Sequence, residues 1–365
     1  MRLISTKILS PGMQLAHPIY NEKGQVLLNK DVMLTERLVR RLRELNVKYV
    51  YIQDQLSQDI EVKETISSSI RLEAVQTIES TFLSLQQENL SEKSFLLDKD
   101  SSKFKGIIRT LLSEIKSNPD LLTILSDVYT YDSYIFQHSF NVTLYTLALG
   151  MELGLSMEEL ETLGLGAILH DIGKIMVDED VLLKPGRLSD HEFEQIKKHA
   201  NHGFDILRQL HTVPLIVAHC AFQHHERLNG TGYPRGLKGN EMHLYAKIIA
   251  VADVFDAVTS NRVYRNAMLP HEGLEILYSG AGTLFDQTII EAFRRAIAIY
   301  PNGMVVKLSD QRVGIVCGQN VGFTERPIVK IIEQSGMKVE QPYEINLKKE
   351  LSVVIKECQL EYMES

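Results

Sequence analysis

Nine of the chain's 12 histidines fall between His138 and His225, inside a long stretch whose apolar residues recur at helical spacing. That combination restricts the fold more than any other feature. A mainly helical scaffold has to bring imidazoles together from segments scattered over almost ninety positions. Histidine is the commonest metal ligand and a frequent acid or base. Clustering alone does not separate a metal site from ordinary polar histidines, so spacing has to decide.

The pattern around this stretch divides the chain into four segments. Residues 1–57 read as a small α/β module, with turn signals at Pro11-Gly12 and near Gly24, a charged helix over 35–45 and an alternating strand at VKYVYIQD. Residues 58–103 read as a helical linker. Ile66, Ile70, Ala74, Ile78, Phe82 and Leu85 form an apolar stripe there, which suits a helix packed on its own chain or, alternatively, a signalling or dimerising helix. LSEKSFLLDKDSSK (90–103) is polar enough to be a loop. Residues 104–300 read as nearly all helix, with capping boxes at Ser156/Glu159 and Ser189/Glu192. From 301 to 365 the pattern turns to Val-rich strands, MVVKLSD, RVGIVCGQN and PIVKIIEQ, expected to form a small β-rich extension.

The overall balance excludes some partners. The net charge of −8 gives no global attraction for a nucleic-acid polymer or an anionic membrane, so a phosphate ligand would need a local cationic cluster. Cys220, Cys317 and Cys358 form no CxxC pair, and their odd number suits reduced thiols. The first residues lack a continuous apolar segment of signal-peptide type, and no apolar run is long enough to span a bilayer. The expected location is the cytoplasm.

Donor residues recur in order through the helical stretch. His138 comes first, in YDSYIFQHSFNVTLYTLAL. His170-Asp171 ends the apolar run LGLGAILHDIGK. His199 and His202 lie in KKHANHG, His224-His225 in QHHE, and Asp253 and Asp256 in IIAVADVFDAV. A His-Asp dipeptide alone is a weak signal. Imidazoles combined with carboxylates make a set suited to iron, manganese or zinc. Seven or more such donors exceed what one ion needs, so at least two divalent ions are implied. Paired ions can activate a water for in-line attack on phosphorus. His191, His202, His211, His219, His243 and His271 are read as surface or core histidines, and His17 lies outside the candidate domain.

HDIGK (170–174), KPGRLSDHEFEQIKKH (184–199), HHERLNGTGYP (224–234) and ADVFDAVTSNRVYR (252–265) together resemble the HD-GYP family. This is a branch of the HD-domain metal-dependent phosphohydrolases known for hydrolysing cyclic di-GMP. The resemblance covers about half of the chain. It implies an all-helical HD-type domain, a phosphodiesterase activity in bacterial second-messenger signalling, and a binuclear centre of iron or manganese. By this resemblance His138, His170, Asp171 and Asp253 would hold one ion. Asp171, His199, His224 and His225 would hold the second, with Asp171 as the bridge and a bridged hydroxide as the nucleophile. Lys174, one helical turn past His170, would stabilise phosphate charge or protonate the leaving oxygen. Arg262 and Arg265 fall where the family places cationic phosphate contacts. Gly232, Tyr233 and Pro234 would shape the site and contact substrate or a partner.

Two positions depart from the family's pattern. Tyr134 stands where some members carry a Glu that helps to hold a third metal, which favours two ions. Asn229 replaces the usual Asp before Gly230 but can still support the turn. Asp256 and Tyr134 are candidate supports behind the ligands. Two other functions share the same residues: hydrolysis of another cyclic dinucleotide or a nucleoside monophosphate, or a non-catalytic nucleotide-binding regulator. A homodimer or a signalling partner, engaged through the terminal modules or the GYP loop, fits the segment pattern.

Overall fold

In the computed structural model, residues 1–20, 26–45, 47–62, 66–86, 90–117, 134–184, 186–260, 268–359 and 361–362 are described. The chain divides into two compact units. One takes the described residues of 1–65 with those of 297–365, and the other takes those of 66–118 with those of 133–296. Four segments are expected from the sequence, whereas contacts join the two ends into one unit and merge 66–103 with the helical region.

The first unit begins with β1 (Arg2–Ser5), β2 (Gln14–Leu15), β3 (Ile19–Tyr20), β4 (Val26–Leu28), α1 (Glu36–Glu44) and β5 (Tyr49–Gln53). β5 lies between β1 and β2, antiparallel to both. Thr35 caps α1, whose buried Val39 and Leu42 close over Ile4, Leu15, Val50 and Ile52. The C-terminal strands are β6 (Val305–Leu308), β7 (Val313–Gly318), β8 (Ile328–Gln334), β9 (Met337–Asn346) and β10 (Ile355–Cys358), in the antiparallel order β10-β6-β7-β8-β9. Shared burial explains why the ends belong together. Leu56 and Ile60 pack with Val305, Val313, Ile315 and Ile332 in one apolar cluster. The Leu3 amide donates to the Gly303 carbonyl at 2.9 Å. The buried guanidinium of Arg2 meets Asp54 at 2.7 Å.

The second unit contains α2 (Ser68–Gln86), α3 (Leu90–Ser117), α4 (Tyr134–Glu152), α5 (Met157–Leu169), α6 (Glu179–Leu182), α7 (Asp190–Lys197), α8 (His199–Leu207), α9 (Leu215–Gln223), α10 (Leu244–Thr259), α11 (Pro270–Ser279) and α12 (Gln287–Ala296). It is all-helical, as expected. Residues 90–103 are the correction: they open α3 rather than forming a loop. Leu97 is completely buried there, so the few apolar positions in this polar stretch are enough to seat the helix. Of the apolar stripe, Ile66 just before α2 and Ala74, Ile78, Phe82 and Leu85 on it are buried, which favours a helix packed on its own chain. Among the described residues, no helix is long and apolar enough to cross a membrane.

Both capping boxes form, at Ser156 with Glu159 and at Ser189 with Glu192. They fix where α5 and α7 begin. α5 buries every residue from Leu163 to Leu169, then stops at His170. A 3-10 turn, Ile172–Met176, follows. Its Gly173 lies directly against α8: a Cβ there would come within 2.0 Å of the His199 carbonyl oxygen and 2.5 Å of the Gly203 nitrogen. Both obstacles are backbone and cannot rotate away. Gly173→Ala is therefore expected to destabilise the unit by about 1–3 kcal/mol, lowering Tm by several degrees in a thermal melt. An unchanged Tm would show that the turn and α8 can separate freely.

Candidate metal centre

Three helix ends deliver the histidines. His170 is the residue after α5 and His224 the residue after α9, while His199 follows the end of α7 and starts α8. Carbonyls at a helix C-terminus lack intrahelical partners and carry partial negative charge. Each histidine uses one of them. Nδ1 of His170 bonds the Ala167 carbonyl at 2.7 Å, Nδ1 of His199 bonds the Ile196 carbonyl at 2.6 Å, and Nδ1 of His224 bonds the Ala221 carbonyl at 2.9 Å. A carbonyl only accepts, so Nδ1 carries the proton and Nε2 is left with a lone pair. All three Nε2 atoms turn towards Asp171. His138, on α4, is held differently: its Nδ1 lies 2.7 Å from Asp256 Oδ2. Asp256 is fixed in turn by Asn141 Nδ2 at 3.0 Å and by the Ser260 hydroxyl at 3.0 Å.

Asp171 sits between two groups of donors. Its Oδ2 lies 3.5 Å from His138 Nε2, 3.4 Å from His170 Nε2 and 2.5 Å from Lys174 Nζ. Its Oδ1 lies 3.4 Å from His199 Nε2 and 3.7 Å from His224 Nε2. Two sets can each converge on a cation: His138, His170 and Asp171; and Asp171, His199, His224 and His225. Asp253 joins the edge of both, with Oδ1 3.1 Å from His138 Nε2 and Oδ2 3.7 Å from His225 Nδ1. The structure thus gathers the seven expected donors into one cluster, with Asp171 between the two sets and Asp253 at their edge.

Electrostatics supports a cation here. His170 Nε2 and Asp171 Oδ1 are buried and make no hydrogen bond. Leaving such atoms unsatisfied costs about 1–3 kcal/mol each, and a bound cation would satisfy both. Burial lowers the pKa of His199 to about 4 and holds His224 and His225 well below the usual imidazole range. Neutral imidazole is the ligating form. Burial opposes charge on His138 too, but Asp253 and Asp256 more than offset it and raise its pKa to about 9. A proton on His138 answers the carboxylates as a metal ion would. Burial would raise Asp171, yet Lys174, His170 and His199 together hold it well below the usual carboxylate range. The residues therefore fit one or two divalent ions bound by mixed nitrogen and oxygen donors.

Lys174 reaches Asp171 by a different route from the one expected. α5 has already ended, and the 3-10 turn carries Lys174 three residues past Asp171. Tyr134 opens α4, but its side chain is outside the described residues, as are Arg262 and Arg265 altogether. Two of the other histidines serve locally: His243 accepts from the Tyr245 amide at the start of α10, and His219 packs against Phe204.

The GYP loop closes one side. Tyr233 stacks on His225 with ring centroids 4.6 Å apart. Gly232 passes so close to the preceding turn that a Cβ would lie 2.4 Å from Glu226 Cα and 2.5 Å from Arg227 N. Sequence reasoning gave Glu226 no role, although it follows the histidine pair directly. Its carboxylate is fully buried and accepts from the Arg235 amide at 2.8 Å and the Leu237 amide at 2.9 Å. It pins the loop to the turn that carries His225. The available signal was an acidic residue between paired histidines and a Gly-rich loop, where two main-chain donors needed an anion. Glu226→Gln presents an NH2 to one of those donors. Losing one charged hydrogen bond is worth roughly 1.5–3 kcal/mol, so KM should rise about tenfold or more with bound metal retained. Unchanged steady-state kinetics would mean that the loop needs no such anchor.

Comparisons with known proteins place the chain among HD-domain proteins. A family model for the HD domain matches residues 109–289, and one for a KOW domain associated with the HD domain matches 305–362. The second covers β6 to β10, which the sequence had identified only as β-rich. A cyclic di-GMP phosphodiesterase of Pseudomonas aeruginosa is 30% identical over 353 residues, covering 92% of this chain and 84% of that one. A cyclic di-GMP phosphodiesterase of Thermotoga maritima is 36% identical, over 56% of this chain and 55% of its own. A 3'3'-cGAMP-specific phosphodiesterase of Vibrio cholerae is 37% identical, over 46% of this chain and 36% of its own. The chain thus spans most of the first relative and about half or less of the other two.

Proposed function

Because this chain belongs to the HD-GYP branch of the HD-domain phosphohydrolases, and is accordingly a metal-dependent phosphodiesterase, we propose that it hydrolyses cyclic di-GMP. The products are the linear dinucleotide pGpG and, after a second cleavage, GMP. The observation that carries the reading is Asp171, a buried carboxylate with one oxygen facing each set of imidazoles.

His138, His170, Asp171 and Asp253 would hold one divalent ion, and Asp171, His199, His224 and His225 would hold the other. Iron or manganese suits this donor set. When bound, the ions supply Lewis-acid activation of a water and stabilise charge on the phosphate. The chain's own residues do the rest. Main-chain carbonyls and Asp256 orient the imidazoles before anything binds, which lowers the cost of assembly. Lys174 brings its ammonium to Asp171 Oδ2, where it would either neutralise charge on a phosphate oxygen or donate its proton to the departing ribose oxygen. By the family pattern Arg262 and Arg265, which lie outside the described residues, would supply cationic contacts to phosphate. Gly232 lets the GYP loop lie close to His225, and Tyr233 shields that ring from water while offering its edge to substrate.

One observation favours a second substrate. The 3'3'-cGAMP-specific relative, at 37% identity, is as similar within its aligned region as the Thermotoga maritima cyclic di-GMP relative, at 36%, so a mixed guanine-adenine dinucleotide is the alternative. The test is metal analysis of anaerobically purified protein, followed by chromatography of products from cyclic di-GMP, 3'3'-cGAMP and cyclic di-AMP. Cyclic di-GMP should disappear first, with about two ions per chain. Metal-loaded protein that binds cyclic di-GMP tightly and leaves it uncut over hours would overturn the proposal.

A further inference from the structure

Beside the metal centre, α7 carries three side chains that the hydrolytic reading leaves without a task. Phe193 is a large apolar residue left 45% exposed. Its ring stands edge-on to Tyr233, with centroids 6.5 Å apart and planes at 81°. The Lys197 ammonium lies 4.8 Å from the Phe193 centroid and 5.5 Å from that of Tyr233. Lys197 is also paired with Glu194, Nζ to Oε1 at 2.6 Å. An aromatic face, a cation and a carboxylate thus share one corner, one ring removed from His225. The corner is tied rigidly to the centre, because Lys197 precedes His199 by two residues and the capping box at Ser189 fixes the start of α7.

We propose that this corner is a guanine-selective base subsite, with Phe193 as the stacking platform and Glu194 and Lys197 as readers of the base edge. The inference rests on the hydrolytic reading above and adds the basis of its substrate choice. The chemistry is specific. Unstacked bases are recognised by stacking on aromatic rings together with hydrogen bonds to their edges. Guanine presents O6 and N7 as acceptors, which match an ammonium. On its Watson–Crick edge it presents N1–H and N2–H donors, which match a carboxylate. Adenine carries an amino group where guanine has O6, so it would direct a donor at Lys197 and offer Glu194 no paired donors. The existing ion pair holds both readers beside the ring when no base is there. A base stacking on Phe193 takes the place of the ammonium over the ring, and Lys197 moves to the base edge.

The test uses the full chain with Phe193→Ala, Phe193→Trp, Glu194→Gln and Lys197→Met. Two quantities are read: kcat/KM for cyclic di-GMP against cyclic di-AMP, and calorimetric affinity for GMP against AMP. Glu194→Gln and Lys197→Met should each cut the guanine-over-adenine ratio about tenfold, through KM and not kcat. Phe193→Ala should weaken both bases about tenfold without changing the ratio, and Phe193→Trp should preserve binding. An unchanged ratio in Glu194→Gln, with wild-type protein cleaving cyclic di-GMP, overturns the subsite and leaves the hydrolytic proposal standing. If wild-type protein cleaves no cyclic dinucleotide, the hydrolytic proposal fails. The subsite is then decided by binding alone: GMP preferred over AMP in the wild type and not in Glu194→Gln supports it, and equal affinities overturn it.

Discussion

Asp171→Ala is expected to remove bound metal and hydrolysis together, lowering kcat by about a thousandfold or more. Asp171 faces two imidazoles of each set, with Oδ2 towards His138 and His170 and Oδ1 towards His199 and His224, whereas Asp253 meets one imidazole of each, His138 and His225. Losing it would take a ligand from each proposed ion and the negative charge that would offset their mutual repulsion. Asp171→Asn should fail almost as completely, because one oxygen becomes an NH2 that repels a cation. Metal analysis beside single-turnover kinetics checks both variants. Full metal content in Asp171→Ala would remove the bridging role outright.

Lys174→Met is expected to lower kcat by about 10²–10³-fold while metal content holds. The sign of the charge separates two roles for this lysine. Its ammonium lies 2.5 Å from Asp171 Oδ2, where a positive charge competes with a metal ion for the same oxygen. If Lys174 served only to balance Asp171, removing it would leave metal affinity equal or higher and spare catalysis. If it acts on the phosphate or the leaving oxygen, turnover falls although the ions stay. Metal loss in Lys174→Met would contradict both roles.

Much of the centre was legible before any coordinates. His138, His170, His199 and His224 stand out because imidazoles at those intervals, with Asp171 and Asp253, have few other uses in a helical domain. The helical class followed from periodicity, and the two capping boxes gave real boundaries. Failures came where tertiary context outweighs local pattern. Residues 90–103 look polar, yet Leu97 on α3 finds a buried seat. The ends of the chain gave no sign of sharing a core, because Leu56 and Ile60 meet Val313 and Ile332 across some 250 residues of sequence. Glu226 was passed over because its task is to bind two main-chain amides, and amides leave no mark on a sequence. Phe193 and Lys197 carry no local signal of the corner they share with Tyr233, because that residue lies some 40 positions on.

The hydrogen bonds from His170, His199 and His224 to the carbonyls three residues back make chelation and mutation inequivalent ways to empty the centre. A chelator takes away the ion and leaves every imidazole tethered to its helix end, so resupplied metal meets a template already in shape. A histidine-to-alanine change frays the helix end as it deletes the donor. Excess metal in the buffer can offset weakened affinity but cannot re-tie the helix. Reversibility, more than residual activity, is therefore the quantity that tells a lost ligand from a lost scaffold.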